Sequence, residues 1–196
     1  WDLANWQYRN GNIKNIEISN NIFYNMGSKP IGVYSGSVDH MESDGFVFRN
    51  NYANQPSAYS LQATPDLLGS FGGYGIEVKN NLAHNGLFHA VDWKGSEIKI
   101  NNNELSNAVR ETMDSGTIYA GRSTIPRNNE IAYNYFVGAA PVQTLSYSAK
   151  HNRAIYFDDQ LGGTYVHHNT GVAINLGGDK FISASGDSTE NENNII

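Results

Sequence analysis

Ile16-Glu17-Ile18-Ser19-Asn20-Asn21 is the first copy of a short phrase that decides the fold of this 196-residue chain. The phrase reads apolar, any residue, apolar, polar, Asn, Asn. Close copies occupy Phe46–Asn51, Ile76–Asn81 and Ile98–Asn103, and looser copies end at Asn134, Asn169 and Asn194. The final Asn of each copy marks one repeat, and the steps between these markers are similar but unequal.

The spacing of apolar residues within the phrase predicts strands. The apolar positions alternate with period two and are rich in β-branched residues, whereas helical repeat arrays use helix formers at a fixed period. Unequal steps indicate short constant strands joined by loops of varying length. We therefore expect an all-β, right-handed parallel β-helix of about seven coils, stacked ~4.8 Å apart, as a single domain over residues 1–196. An antiparallel sandwich would instead show hairpin turns every 8–12 residues or so.

The repeated Asn has a physical role in such a stack. Asn tolerates the left-handed backbone of a sharp corner, and its amide can donate to one neighbouring coil and accept from the other. We also expect the apolar positions to face the core, with Glu17, Lys79 and Lys99 facing water. At the sixth corner, His168 replaces the first Asn, and His167 is expected to be exposed.

Composition excludes several classes of protein. The net charge of -6 with only 13 Lys and Arg residues argues against a nucleic-acid partner. No apolar run reaches about 18 residues, so no membrane partner is expected. The absence of Cys excludes disulfides, thiolate zinc sites and thiol nucleophiles. Because open solenoid ends expose apolar coils, we expect a fragment of a longer chain, or another subunit that covers the ends.

The second half of the chain carries the densest set of reactive residues. The sequence contains two Ile-Tyr pairs, Ile118-Tyr119 and Ile155-Tyr156. Aligning these pairs predicts that Tyr119 stacks against Tyr156 of the next coil. Gly121 then lies against Asp158, and Arg122 can pair with Asp159. Neighbouring residues of a strand point to opposite faces, so one of these two aspartates should reach the surface. A groove of carboxylates, an Arg and aromatic faces suits sugars, and a carboxyl pair is the minimum for glycosidic hydrolysis.

The stretch from about Asn81 to Asp179 resembles a known family. Its motifs are Glu-Thr-x-Asp-x-Gly-x-Ile-Tyr-x-Gly-Arg at Glu111–Arg122, the phrase Asn129–Phe136, and Ile-Tyr-Phe-Asp-Asp at Ile155–Asp159. These resemble parallel β-helix proteins of carbohydrate-active bacteria, particularly glycoside hydrolase family 141. The resemblance implies a secreted or periplasmic enzyme of plant-glycan breakdown whose catalytic pair is two aspartates on consecutive motifs. Relatives usually continue with Gly-Gly-Arg, where this chain has Gly177-Gly178-Asp179.

Carried onto this chain, the catalytic pair is Asp114 with Asp158 or Asp159, of which we favour Asp158. The residues expected to contact sugar are His89, Trp93, Tyr119, Arg122 and Tyr156. The same aspartates could instead cap turns, and His89 could be a hydrogen-bonded structural residue. No metal site is expected, because the acidic loop containing Asp39, His40, Glu42 and Asp44 is more simply a solvated turn.

The sequence leaves three possible functions for this chain. The first is a glycoside hydrolase without a cofactor that acts on a plant or microbial polysaccharide or oligosaccharide. The second is a polysaccharide lyase, which uses a base beside a uronate carboxylate and often Ca²⁺. The third is a non-catalytic glycan-binding or adhesion segment. Basic residues are scarce around the aspartates, which favours the hydrolase.

Overall fold

The computed structural model describes residues 14–26, 28–34, 43, 45–55, 66–110, 115–122, 126–138, 153–159, 161–172, 181–184, 189–192 and 194–195. This part of the chain is built of strands that fall into three sheets. All of their pairings are parallel, and each strand pairs with its counterpart one coil along the chain. The predicted parallel β-helix is therefore confirmed. Within the described ranges, no helix is long and apolar enough to cross a membrane.

Each of the first six coils contributes one strand to each sheet, and the described part of the seventh adds one strand to sheet A; strands are numbered in chain order. Sheet A contains β1 (Glu17–Ser19), β4 (Val47–Arg49), β7 (Glu77–Lys79), β10 (Lys99–Asn101), β13 (Asn129–Ala132), β16 (Thr164–His167) and β19 (Thr189–Glu192). Sheet B contains β2 (Ile22–Tyr24), β5 (Tyr52–Asn54), β8 (Leu82–His84), β11 (Glu104–Ser106), β14 (Tyr135–Val137) and β17 (Thr170–Val172). Sheet C contains β3 (Gly32–Tyr34), β6 (Gly69–Tyr74), β9 (Val91–Ser96), β12 (Gly116–Gly121), β15 (Arg153–Asp158) and β18 (Ile182–Ala184).

A ladder of Asn side chains follows the corner between sheets A and B. The seven rungs are the marker residues Asn21, Asn51, Asn81, Asn103, Asn134, Asn169 and Asn194. At each step the backbone N and the Nδ2 of one rung both donate to the Oδ1 of the next, as at Asn81 and Asn103 with 3.0 and 2.9 Å. Asn103 repeats the pattern on Asn134 at 3.0 Å for both atoms. The predicted ladder is therefore confirmed.

The left-handed corner residue is the one before each rung. Asn20, Asn50, Asn80 and Asn102 have φ between 54° and 60°. His168 has φ 51° at the equivalent position, which confirms that it replaces the first Asn of the phrase. The sequence pattern assigned the left-handed corner and the bonding between coils to one repeated residue type. In the structure, the first Asn of each pair forms the corner and the second forms the ladder.

His167 is buried, so its predicted exposure is wrong. The side chain stacks on Tyr165 with ring centroids 4.2 Å apart, and its Nε2 lies 3.1 Å from Glu130 Oε1. The Tyr133 ring packs edge-on against the His167 ring, with centroids 5.4 Å apart. His167 does point away from the core, but the large side chains of Tyr165 and Tyr133 cover it.

The apolar positions of the phrase face the core. The eight residues that are at most 2% exposed at these positions are Phe46, Phe48, Ile76, Val78, Ile98, Ile100, Ile131 and Val166. Ile16, in the first described coil, is 39% exposed. Glu17 and Lys99 are exposed as expected, whereas Lys79 is half-buried beside its ion-pair partner Glu77.

We predict that Asn103→Ala destabilises the fold strongly. The change removes the acceptor of two donors on Asn81 and the Nδ2 donor to Asn134, all in the buried interior, and leaves only the backbone N–H to bond Asn134. Each buried donor left unpaired costs about 1–3 kcal/mol, so the total should reach several kcal/mol. Urea unfolding followed by circular dichroism measures the loss. Asn21→Ala is the matched control, because Asn21 is exposed and should cost under about 1 kcal/mol; equal losses would contradict a structural ladder.

Candidate functional site

The outward face of sheet C carries a row of polar side chains. Ser70 pairs with Asp92, Asp92 with Tyr119, and Tyr119 with Tyr156, so the four residues lie side by side on successive coils. Residues that precede or follow them, such as Phe71, point inward and are fully buried. Strand alternation therefore places all four members of the row on the same outer surface.

Asp158 lies two residues beyond Tyr156 on the same surface and is held by two phenols. Tyr119 Oη donates to Asp158 Oδ2 at 2.9 Å, and Tyr156 Oη donates to Oδ1 at 3.3 Å. The two tyrosine rings meet edge to face, 5.7 Å apart. Gly121 pairs with Asp158, and a Cβ at Gly121 would lie 2.9 Å from the Tyr119 hydroxyl. The glycine therefore leaves the space in which Tyr119 reaches the carboxylate.

The predicted register between these coils is confirmed. Tyr119 pairs with Tyr156, and Gly121 with Asp158. Arg122 Nε donates to Asp159 Oδ2 at 3.2 Å, with side chains 78% and 59% exposed. An ion pair this exposed contributes little to stability. The two adjacent aspartates thus differ in surroundings, since Asp158 is bonded by phenols on the sheet and Asp159 faces solvent beside an arginine.

His89 supports Tyr119 from within the protein. It is 4% exposed, and its ring stacks on that of Tyr119 with centroids 4.3 Å apart and planes 12° from parallel. Its Nδ1 lies 2.9 Å from the carbonyl oxygen of Gly116 and 2.6 Å from Ser115 Oγ. Burial lowers the pKa of His89 to about 3, so the imidazole is neutral and its Nδ1–H donates to the carbonyl. This geometry matches the structural role considered for His89 in the sequence.

Trp93 lies in the core, which corrects its expected sugar contact. Its side chain is 1% exposed and packs edge-on against Phe157 with centroids 6.3 Å apart. The reason is strand alternation, since Val91 and Trp93 share the inward side of β9 while Asp92 lies outward. No described residue forms a hydrogen bond with its Nε1. The Trp93 side chain therefore packs in the core behind sheet C, where a ligand cannot reach it.

Some of the expected residues lie outside the described ranges. Asp114 is among them, so its pairing with Asp158 stays a prediction. The acidic loop residues Asp39, His40, Glu42 and Asp44 also lie outside. In the part of the chain that the structure describes, no three His, Asp or Glu side chains are grouped so that they could hold a metal ion.

Sequence reasoning missed a buried cluster next to the row, which we call the Asp66 cluster: Lys29, Asp66, Ser70 and Asp92. Ser70 Oγ donates to Asp66 Oδ2 at 2.6 Å, and Lys29 Nζ donates to Ser70 Oγ at 2.8 Å. Lys29 Nζ also lies 3.6 Å from Asp66 Oδ2. Asp66 is 1% exposed, and no hydrogen-bond partner for its Oδ1 exists among the described residues.

Both carboxyl groups of the Asp66 cluster have pKa values raised by burial. Burial raises the pKa of Asp66 to about 7, and the negative charge of Asp92 adds to the rise against the opposing effects of Ser70 and Lys29. Burial also raises the pKa of Asp92, although Lys94 and Lys29 oppose it. The period-two alternation of β9 could have placed Asp92 on the outer surface, whereas Asp66 and Lys29 lie in loops where no repeat fixes position.

Tyr119 is a hydrogen-bond donor and stays protonated. Burial, followed by its bond to Asp158, raises its pKa above the ordinary value. Its phenol therefore presents a proton to Asp158 across the neutral pH range.

No protein-family model, curated protein or solved structure matches this chain. The resemblance to glycoside hydrolase family 141 therefore stays an expectation based on the motifs of the sequence.

We predict that Asp66 makes the fold less stable as pH rises. Its carboxyl has an ordinary pKa of 3.8 and a folded pKa of about 7, so the folded state binds more protons between these values. The stabilisation is complete below about pH 4 and is lost as pH rises to about 7, by on the order of 2–4 kcal/mol. In Asp66→Asn this loss disappears. The unfolding free energy of the variant should therefore rise relative to that of the wild type between about pH 4 and pH 8.

Urea unfolding at several pH values measures this difference between wild type and Asp66→Asn. Glu104→Gln is the control, because it neutralises an exposed carboxylate on sheet B, away from the Asp66 cluster. A flat difference for Asp66→Asn would contradict the raised pKa of Asp66.

Proposed function

We propose that this chain is a glycoside hydrolase that acts on a plant or microbial polysaccharide or oligosaccharide at the outward face of sheet C. The observation that carries the proposal is the arrangement of Asp158 between the Tyr119 and Tyr156 hydroxyls. A carboxylate held in a fixed orientation beside aromatic rings is one half of the carboxyl pair that glycosidic hydrolysis requires.

In this proposal Asp158 accepts a proton from the attacking water or attacks the sugar itself. The phenols fix both carboxylate oxygens, so the group is oriented before substrate arrives. Tyr119 and Tyr156 can also pack against the apolar face of a sugar ring. Arg122 and Asp159, exposed where the strands end, are placed to bind sugar hydroxyls. Asp114 remains the partner that the family resemblance implies, and no cofactor is required.

One observation weighs against the lyase. A lyase needs a base beside the uronate carboxylate, and a tyrosine that serves as base needs a lowered pKa. The pKa of Tyr119 is raised instead, because of burial and its bond to Asp158. We also propose the secreted or periplasmic location that plant-glycan breakdown implies.

We predict that Asp158→Asn abolishes glycan hydrolysis. The amide cannot accept a proton at that position, so the rate should fall by about 10²–10⁴-fold. The assay incubates the wild type with a panel of plant and microbial polysaccharides and measures new reducing ends. Asp159→Asn should lose much less, because in this proposal Asp159 binds sugar hydroxyls beside Arg122 and takes no part in proton transfer.

Glu104→Gln is the matched control, since it also neutralises one carboxylate, on another sheet. Unchanged hydrolysis in Asp158→Asn would overturn the proposal. A product with the ultraviolet absorbance of an unsaturated uronate would identify a lyase, and binding without turnover would identify a binding protein.

A further inference from the structure

We propose that Tyr133 and His168 form a second, non-catalytic surface that binds a neutral glycan. We call these two residues the aromatic corner, because they lie at the corner between sheets A and B. Asp158 lies on sheet C, so the aromatic corner is separate from the proposed site of hydrolysis. The choice of a glycan as ligand rests on the proposed function, and the surface holds the polymer while the other site acts on it.

The two residues depart from the sequence repeat at the same structural position. In the four coils before Tyr133, the corner residue that precedes each ladder rung is Asn. Tyr133 and His168 occupy this position in the next two coils, with φ of 57° and 51°. Asn is enriched in this left-handed backbone, whereas a bulky residue there is an outlier. Such outliers are a reason to look for a function, because folding alone is served as well by Asn.

The rings are exposed and arranged along the axis of the stack. Tyr133 is 51% exposed, and His168 is also exposed. The two rings stack with centroids 5.2 Å apart and planes 23° from parallel. Since His168 belongs to the following coil, it covers only one face of the Tyr133 ring.

The other face of Tyr133 is turned toward the preceding coil, whose corner residue is Asn102. Asn102 is exposed, and its side chain is much shorter than that of tyrosine. The outer part of the Tyr133 ring therefore projects beyond Asn102 and forms a step on the surface. A flat ligand placed on this step contacts a ring face on one side and an amide beneath it.

Hydrogen bonds behind the aromatic corner hold the His168 ring. His167 Nε2 lies 3.1 Å from Glu130 Oε1, and the two Nδ1 atoms of His167 and His168 lie 2.8 Å apart. A carboxylate only accepts, so His167 Nε2–H is the donor in the first contact. With both imidazoles neutral, His167 Nδ1 then accepts from His168 Nδ1–H. This assignment leaves His168 Nε2 as an acceptor for a ligand hydroxyl.

A sugar ring matches these groups. Its C–H face packs on the exposed face of Tyr133, as apolar surface does on aromatic rings. Its hydroxyls can donate to His168 Nε2 and can both donate to and accept from the Asn102 amide. Rings with a few placed polar groups are the usual composition of a small-ligand site.

Other classes of ligand fit the aromatic corner less well. A protein partner needs about 800 Å² of surface on each side, which two ring side chains do not supply. A polyanion, whether nucleic acid or polyuronate, is disfavoured by the Glu130 carboxylate behind the rings and by the net charge of -6. A neutral polysaccharide carries no such penalty.

Native gels that contain a soluble polysaccharide test the binding directly. Arabinoxylan, xyloglucan, β-glucan and galactomannan are the neutral probes, and polygalacturonate and alginate are the anionic ones. We expect at least one neutral polysaccharide to retard the wild type. Retardation by none of the neutral polysaccharides, or by the anionic ones alone, would overturn the proposal.

The double variant Tyr133→Asn with His168→Asn restores the residue that the repeat uses at this corner. Asn suits the left-handed backbone, so the variant should fold, with circular dichroism and the urea midpoint as checks. Its Kd for the responding polysaccharide should rise by about tenfold or more. Tyr133→Phe keeps the ring and should keep the binding. Tyr24→Asn is the matched control, because Tyr24 is a 61% exposed tyrosine on sheet B at the other end of the stack.

Equal retardation of the double variant and the wild type would overturn the aromatic corner. NMR titration of the wild type provides a test without variants, in which an oligosaccharide of the responding glycan should shift the ring signals of Tyr133 and His168. Shifts confined to sheet C would also overturn it. A wild type that hydrolyses no glycan would end the proposed function, and the gels and the titration would still decide whether the aromatic corner binds sugar.

Discussion

The structure depends on satisfying buried side-chain amides. An asparagine in an apolar interior costs free energy unless its donors and acceptor are all bonded, and here each interior rung is bonded by the coils on both sides. Asn81 is only 2% exposed, yet it receives two donors from Asn51 and gives two to Asn103. A coil that slipped by one residue would break these bonds and turn the apolar positions outward. The ladder therefore fixes the register of every coil.

That fixed register places the reactive groups of sheet C. Asp158 meets the Tyr119 hydroxyl only because Gly121 lies beside it without a side chain. Ser70 and Asp92 face each other for the same reason. Groups from distant parts of the sequence are thus held on the outward face of sheet C, with Trp93 and Phe157 packed behind it. A functional site keeps its geometry when its residues are supported in this way.

The sequence predicted what the repeat controls. The ladder, the core positions and the pairing of Tyr119 with Tyr156 all follow from a strand period and a marker residue. Trp93 was assigned wrongly because its aromatic type was given more weight than strand alternation, which buries it. His167 was wrong for a different reason, since its outward position was correct and the covering side chains of Tyr133 and Tyr165 were not foreseen.

The Asp66 cluster could not be predicted in the same way. Lys29 and Asp66 precede the strands of sheet C in segments of unequal length, so no spacing in the sequence brings them together. Their association depends on the three-dimensional path of the loops. The Asp66 cluster was thus less predictable than the scaffold that carries it.

The ladder also has a direction. Every bond from one Asn rung to the next donates toward the Asn194 end, and every side-chain carbonyl accepts from the Asn21 side. The second Nδ2 proton of a rung returns to a backbone carbonyl of the preceding coil, and backbone bonds between coils run both ways. The small dipoles of the rungs therefore add along the axis and make its two ends electrically unlike. Any coil that extends the stack beyond Asn194 must offer an acceptor, and any coil before Asn21 must offer donors, so the solenoid can lengthen only head to tail.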